Sequence, residues 1–283
     1  MRNDSRKSML YVPADKEKML IKAAGYPCDS LIIDLEDAVS PDLKALAREN
    51  VKHHTGALSQ TKEIFVRVND VDSSFFEKDV QTVSMLPVDG IVLPKADPRA
   101  VIMANEALDK LDTANRLVVI PLVETARGLV NITQTISKSD RVVGIQFGAE
   151  DYTKDMDVVR TVDGGEIAFA RHLIGLHCMA AGVQAIDTPY VDYIDQAGLI
   201  ADCESAKAAG MKAKTCIHPA QIATVNQAFS PSDAEVIWAI EVFEAMRIPD
   251  NQGKSAFSLH GKMVDTPIME RAKCILQKVG RLP

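Results

Sequence analysis

Short unbroken runs of apolar and β-branched residues punctuate the chain, and the stretches between them carry helical spacing. The runs fall at 9–12, 30–35, 64–68, 90–93, 117–123, 142–147, 183–186 and 213–217. Runs without polar alternation suit parallel strands that are covered on both faces. The intervening helices have legible starts. Asp15 reads as the cap of the first, Pro41 after Ser40 as the first residue of the second, and Pro98 after Asp97 repeats that pattern. The longest apolar helical stretch is 165–182, and another, 195–210, closes on a glycine. Eight strand–helix alternations predict an α/β fold of the TIM type, a single closed (β/α)₈ barrel. The alternative is an open doubly wound sheet. No Gly-x-Gly-x-x-Gly follows the first strand and no Gly-Lys-Ser/Thr loop occurs, which weighs against it. The barrel is expected over 1–228. Residues 229–283 then form a C-terminal helical extension, with a helix start at Ser230-Pro231-Ser232-Asp233-Ala234-Glu235, a loop at 250–254 and a last helix opened by Pro267. This tail is too long to be a frayed end. It is expected to pack across the barrel or onto another subunit.

Composition narrows the function classes. The 283 residues are 47% hydrophobic, enough to bury a large core. A formal charge of −7 argues against general nucleic-acid or anionic-membrane binding, though not against a locally basic site for an anionic ligand. The five cysteines (28, 178, 203, 216 and 274) have no Cys-x-x-Cys spacing and read as reduced thiols. The charged start, residues 1–7, lacks the apolar stretch of a secretory signal, and no run approaches the ~18 apolar residues of a membrane span. A cytoplasmic enzyme is expected.

The ends of the strands carry the candidate chemistry, because barrels of this kind place their sites at the carboxyl ends of strands. The second strand ends Asp34-Leu35-Glu36-Asp37, and the third carries Arg67 and Asn69. The fourth ends at Lys95, the fifth at Glu124 and the sixth at Glu150-Asp151. Asp187 and His218 follow in the seventh and eighth. Such charges cannot enter a barrel core unpaired without a large desolvation cost, so they are expected to converge on a cation or an anionic substrate. Glu124 and Asp151 close neighbouring strands, which lie about 4.8 Å apart, and can grip one ion. Two carboxylates without His or Cys suggest a hard ion such as Mg²⁺. A Lys or Arg salt bridge is the competing reading for that pair. For Arg67 a structural ion pair competes with binding of a carboxylate or oxyanion. Lys95 can pair with Glu36 or reach the ligand, and the pair is the favoured reading. His218 is expected to orient its loop, and His172 and His177 are spaced wrongly for a zinc pair on a helix.

Taken together, Ser8-Met9-Leu10-Tyr11-Val12-Pro13-Ala14, Ile33-Asp34-Leu35-Glu36-Asp37-Ala38-Val39, Val66-Arg67-Val68-Asn69 and Leu93-Pro94-Lys95 resemble the β subunit of citrate lyase and its relatives in the HpcH–HpaI aldolase family. Pro121-Leu122-Val123-Glu124-Thr125-Ala126, Phe147-Gly148-Ala149-Glu150-Asp151, Cys216-Ile217-His218-Pro219-Ala220-Gln221 and Gly261-Lys262-Met263-Val264-Asp265 complete the series in order. The match runs from about residue 8 to 275. The family contains citryl, citramalyl and malyl thioester lyases, (β/α)₈ barrels that usually assemble as trimers. The resemblance implies that Glu124 and Asp151 bind Mg²⁺. It implies that Arg67 is catalytic and binds substrate together with Glu124, Glu36, Asp37 and Lys95. It further implies that Asp265 reaches a neighbouring subunit's site as the acid/base, in a homo-oligomer, trimer or hexamer. Two departures stand out: His260 precedes Gly261-Lys262 where many relatives have Asp, and Ala213 stands where Gly is usual.

The implied reaction is cleavage of a 3-hydroxy-3-carboxy acyl thioester, of citramalyl-CoA or malyl-CoA type, to a 2-oxo acid and acetyl-CoA. Citryl cleavage on an acyl-carrier protein is the alternative within the class. A non-catalytic assembly or ligand-binding subunit, and an aldolase acting on free oxo acids, are alternatives outside it.

Overall fold

The computed structural model describes residues 6–112, 114, 116–248 and 251–282. The charged N-terminal residues 1–5 and the first residue of the 250–254 loop lie outside them. The chain divides into two compact units, one ending at Phe229 and one beginning at Ser230.

The first unit is a closed barrel of eight strands, all parallel to their neighbours. The strands are β1 (Ser8–Pro13), β2 (Ser30–Asp34), β3 (Glu63–Arg67), β4 (Gly90–Leu93), β5 (Val118–Val123), β6 (Gly144–Phe147), β7 (Gln184–Asp187) and β8 (Ala213–Cys216). Each falls on one of the eight apolar runs, and β1 closes the ring on β8 through Ser8–Lys214, Met9–Thr215 and Leu10–Cys216 pairs. The helices between them are α1 (Glu17–Ala23), α2 (Lys44–Leu58), α3 (Phe76–Ser84), α4 (Pro98–Leu111), α5 (Ala126–Val130), α6 (Ile132–Ser137), α7 (Ala149–Asp155), α8 (Gly165–Ala181), α9 (Gln196–Ala208) and α10 (Ile222–Ala228).

The unbroken apolar character of the strands has the expected cause. Successive side chains point to opposite faces. Leu10, Ile33, Ile64, Val66, Ile91, Ile145 and Phe147 face the helices. Met9, Ile32, Phe65, Val92, Ile120, Leu122, Ile186 and Ala213 fill the barrel interior. Both faces are buried, so neither tolerates a polar alternation.

Helix starts follow the sequence signals with one exception. Asp97 caps α4 by accepting from the Ala100 N–H at 2.9 Å, with Pro98 in the first turn. Pro41 opens a short 3₁₀ turn (Pro41–Leu43) that leads into α2. Asp15, however, caps nothing: α1 begins at Glu17 without a side-chain cap, and the Asp15 carboxylate takes the Lys16 ammonium at 2.6 Å. Among the described residues no helix is long and apolar enough to cross a membrane. All five thiols are unpaired, and four of them are buried.

The second unit consists of α11 (Asp233–Arg247), a hairpin of β9 (Ala256–Leu259) and β10 (Lys262–Asp265), and α12 (Thr266–Lys278). Ser232 and Glu235 form a reciprocal cap at the start of α11. Phe257 and Val264 of the hairpin join Val242, Met269 and Leu276 in a small core of this unit. The hairpin is absent from the sequence reading, which placed only helices and a loop here. Its strands are four residues long and half exposed, so no apolar run announces them. The signal lies in the turn: His260 (φ 50°) and Gly261 (φ 75°) both take left-handed backbone. That is the geometry of a two-residue turn in which Asn, Asp or Gly usually stands. His260 occupies it at some strain.

Candidate active site

At the carboxyl ends of the strands a cavity of about 470 Å³ opens, lined among others by Tyr11, Asp34, Arg67, Glu124, Gln146 and Asp151. The side-chain alternation explains the set. Counting by two from the interior residues Met9, Ile32, Phe65 and Leu122 leads to Tyr11, Asp34, Arg67 and Glu124. Polar residues thus continue, at the mouth, the columns that are apolar below.

Arg67 is the centre of charge. Its Nε and one terminal nitrogen hold the two Asp34 carboxylate oxygens at 2.7 and 2.6 Å, a planar forked pair. Its other terminal nitrogen lies 3.0 Å from Glu36 and 3.8 Å from Asp37. The guanidinium stands over the Tyr11 ring, 5.1 Å from its centroid. Both sequence readings of Arg67 therefore hold geometrically: it is an ion pair within the barrel, and it faces the cavity. Asp34 was passed over as a site residue, yet it fixes the guanidinium. It also accepts from the Glu36 and Ala38 N–H groups and so folds the acidic loop after β2. Lys44, buried at the start of α2, donates to the Leu35 and Glu36 carbonyls at 2.6 and 2.7 Å and holds that loop from behind.

Glu124 follows β5 and is buried. One carboxylate oxygen accepts the Lys95 N–H at 2.7 Å. Lys95 has left-handed backbone (φ 48°), which turns that N–H toward the carboxylate. The ammonium of Lys95 is half exposed and lies 3.7 Å from both Glu36 and Asp70, so the expected Glu36 pair is shared and loose. Glu124 also packs against the backbone of Gly148: a Cβ there would stand 2.7 Å from both Cβ and Oε2 of Glu124. Burial pushes the Glu124 carboxyl up to about 8. The Lys95 N–H and the more distant Arg67 oppose that shift, while Asp151 and Glu36 add to it. Burial likewise raises Glu36 to about 7, against the pull of Arg67, with Asp37 and Asp34 adding to the rise.

Asp151 does not end β6 as read from the sequence. The strand stops at Phe147, and Asp151 sits in the first turn of α7, on the rim of the cavity. It still faces Glu124 closely enough to destabilise that carboxylate. The two therefore form an oxygen-only, under-neutralised pair. Among the described residues no group of three or more His, Cys, Asp or Glu forms a metal cage. A pair of this kind suits a hard cation that fills its remaining positions with water and substrate oxygens.

Asp187 corrects the expectation more sharply. It is fully buried and points to the helices, out of register with the interior residue Ile186. There it holds Arg171 of α8 through two bonds of 2.8 and 2.9 Å and Lys214 of β8 at 2.6 Å. Asp202 of α9 closes the group by bonding both cations. Asp187 therefore contributes nothing to the mouth. His218 orients its loop: its Nδ1 accepts the Ala220 N–H and its ring stacks on Tyr193 at 4.5 Å.

A larger hollow, about 940 Å³, opens among residues that precede or begin the strands. Its charges close on each other or on backbone. Arg6 grips Glu63 at 2.6 and 2.7 Å, Asp89 accepts the Ile64 N–H, and Arg116 donates to the Val88 carbonyl. That end of a barrel is ordinarily the structural one, and the chemistry is assigned to the opposite mouth.

In the second unit Asp265 ends β10 and caps α12, accepting from the Ile268 N–H at 3.3 Å.

Residues 7–219 match the model of the HpcH/HpaI aldolase/citrate lyase family. The chain belongs to that family. It is 34% identical to the citrate lyase subunit beta of Haemophilus influenzae, an alignment spanning 96% of each chain. It is 32% identical to the mitochondrial citramalyl-CoA lyase of Rattus norvegicus over 96% of this chain and 85% of the relative. A crystal structure of protein CitE from Mycobacterium tuberculosis in complex with magnesium, acetoacetate and coenzyme A superposes with a TM-score of 0.83. That alignment has 30% sequence identity and covers 98% of this chain and 99% of the other. Family membership makes this chain an enzyme of the carbon–carbon lyase class.

Proposed function

We propose that this family member is a Mg²⁺-dependent lyase cleaving a 3-hydroxy-3-carboxy acyl thioester, of citramalyl-CoA or malyl-CoA type, to a 2-oxo acid and acetyl-CoA. The observation that carries the reading is the buried, under-neutralised Glu124 carboxylate facing Asp151 on the cavity rim, beside Arg67. Relatives named for citrate lyase subunit beta match as well as those named for citramalyl-CoA lyase. Citryl cleavage on an acyl-carrier protein therefore stands as the second reading.

In this reading Glu124 and Asp151 are the protein's ligands to the cation. Bound magnesium supplies a Lewis acid and a template for the hydroxyl and carboxylate of the substrate. The substrate's C2–C3 bond breaks. The hydroxyl passes its proton to an ionised carboxylate at the mouth as its carbon becomes the carbonyl of the 2-oxo acid, and the electron pair of the broken bond passes to the thioester enolate. Arg67, held by Asp34, keeps one end of its guanidinium toward the cavity, where it stabilises the developing negative charge. Glu36, Asp37 and Lys95 surround that end and take part in binding the anionic substrate. With Glu36 raised to about 7, near-neutral pH leaves much of it protonated, which lowers the repulsion an incoming carboxylate meets. Asp265, arriving from another copy in a trimer or hexamer, delivers a proton to carbon and helps to exclude water.

The test is a panel of citramalyl-, malyl- and citryl-thioesters, with and without Mg²⁺. Expected is magnesium-dependent release of pyruvate or glyoxylate from a CoA thioester by the purified chain. Turnover of free hydroxy acids, or none of any thioester, overturns the proposal. Asp265→Asn retains an acceptor for the α12 cap and removes the transferable proton. It is expected to keep oxo-acid binding and lose turnover.

A further inference from the structure

One group in the cavity has no role in that scheme. Gln146 lies on β6, paired with Leu122 on one side and Ile186 on the other, both interior residues. Its neighbours Ile145 and Phe147 face the helices, so Gln146 points into the barrel. It is 2% exposed and lines the cavity. Its Nε2 donates to the Tyr11 hydroxyl at 2.7 Å. Its Oε1 is buried and has no hydrogen-bond partner among the described residues. A buried amide oxygen left in that state costs about 1–3 kcal/mol. Its strand neighbours Leu122 and Ile186 are aliphatic, and a methionine of similar size would fill the place without an orphaned oxygen.

The position in depth says what the amide can meet. Gln146 pairs with Leu122, two residues before Glu124, so it sits roughly 6.6 Å below the level of that carboxylate. A CoA-sized tail cannot fit a cavity of about 470 Å³ and must leave by the mouth. The deepest part of a bound thioester is then its acid head. The Tyr11 phenol can accept a hydrogen bond or donate one. If the amide turns over, Tyr11 donates to Oε1 and Nε2 points its hydrogens into the cavity. No polar atom is then orphaned once an acceptor occupies the floor.

We propose that Gln146 is a specificity-determining residue whose amide, oriented by Tyr11, donates a hydrogen bond to a carboxylate oxygen of the substrate's acid head. The assignment rests on the lyase reading above and names the group that reads the head of the substrate. In a citramalyl or malyl head the acceptor is the carboxylate on the hydroxyl-bearing carbon; in a citryl head the second carboxylate serves as well.

The experiment measures binding of oxaloacetate and pyruvate, each with Mg²⁺, to the full-length protein by calorimetry, together with its melting temperature. Gln146→Met is expected to weaken binding about tenfold, the loss of one hydrogen bond to a charged group. Its metal-free melting temperature should stay close to that of the parent, because the orphaned oxygen goes together with the hydrogen bond to Tyr11. Gln146→Glu is expected to weaken binding further, by repulsion of the carboxylate. Loss for oxaloacetate alone places the second carboxylate at the floor, and loss for both places the shared one; either supports the proposal. Tyr11→Phe, which frees the amide without changing the floor's volume, is expected to show a smaller loss on the same ligand. Unchanged affinity in Gln146→Met overturns the assignment whatever the melting temperature does; with a lowered one it shows an anchor for Tyr11 and nothing more. If Gln146→Met does not fold, unchanged affinity in Tyr11→Phe and Gln146→Glu overturns it equally. The lyase reading fails separately, if the parent protein shows no magnesium-dependent binding or turnover at all.

Discussion

Two groups of charge gather around the strands of this barrel, one buried against the helices and one at the mouth, and they are built on opposite principles. Arg171, Asp187, Asp202 and Lys214 are closed: two cations meet two anions, and the four side chains are at most 8% exposed. Burial alone would raise the Asp202 carboxyl, but Lys214 and Arg171 outweigh it and hold the group below the usual carboxylate range. The mouth is open. Asp34, Glu36, Asp37, Glu124 and Asp151 face Arg67 and a half-exposed Lys95, and two of the acids are raised to about 7 and 8. Residue types are the same in the two places. What differs is whether the charge is cancelled within the protein. The closed group spends its electrostatics on holding α8 and α9 to the barrel. The open group leaves a deficit of positive charge that a cation can fill.

Breaking the closed group should therefore cost stability, and breaking the open one should cost function. The largest effect is expected for Lys214→Met. It leaves Asp187 and Asp202 buried with one cation between them, and destabilises by about 3–5 kcal/mol. Chemical denaturation measures it, and a loss under about 1 kcal/mol would show that the quartet relaxes or hydrates, so that its closure is not what anchors the helices. Next comes Glu124→Gln. It removes a buried carboxylate that is already poorly compensated, so the metal-free protein should keep its melting temperature. Turnover should fall by about a hundredfold to a thousandfold. A lowered melting temperature with turnover and magnesium affinity retained would move Glu124 from the open class to the closed one.

Smaller again is Gly148→Ala. The added methyl would meet the Glu124 side chain at 2.7 Å, so the carboxylate must shift while its charge and depth stay the same. Magnesium affinity is expected to drop by about tenfold to a hundredfold, the usual scale for disturbing a ligand's support. Titration of the metal into both proteins reads it. Equal affinities would mean that the position of Glu124 within the mouth is not critical.

The contrast also explains what could be read from the chain alone. The barrel was legible because eight apolar runs, unbroken by polar residues, mark strands buried on both faces; the same lack of alternation hides which face each residue takes. Glu124, Arg67 and Glu36 were legible as charges at strand ends. Asp187 was legible by the same rule and misplaced by it. A charge at a strand end points either into the mouth or toward the helices, and only its phase relative to the interior residues decides. Counting by two from Leu122 reaches Glu124, and from Phe65 reaches Arg67; Asp187 falls beside Ile186 and out of phase. The same count finds Tyr11 and Gln146, which the search for charged strand ends passed over, and singles out Asp34 within the acidic end of β2. The partners of Asp187, on α8 and α9, carried no local signal, since Arg171 and Asp202 come together only through tertiary packing. The hairpin before α12 was hidden for a different reason: its order comes from a turn of left-handed residues, with no apolar run behind it.

The gentlest probe of the difference is pH. Glu124 and Glu36 have folded-state values of about 8 and 7, against roughly 4.3 in an unfolded chain. Between those limits the folded protein holds protons that the unfolded chain has released. Stability is therefore fully present below the unfolded value and declines as pH rises through the folded values. The closed group behaves in the other sense: the lowered Asp202 contributes stability above its unfolded value that is lost only toward acid. In metal-free buffer the melting temperature should fall by a few degrees between pH 5 and pH 8. Magnesium, which takes over the role of the lost protons at the mouth, should restore most of that loss at pH 8 and little at pH 5. The slope should flatten in Glu124→Gln and survive in Lys214→Met. A melting curve that is level from pH 5 to 8 in the parent, or one that magnesium shifts equally at both ends, would mean that the mouth is as fully compensated as the quartet.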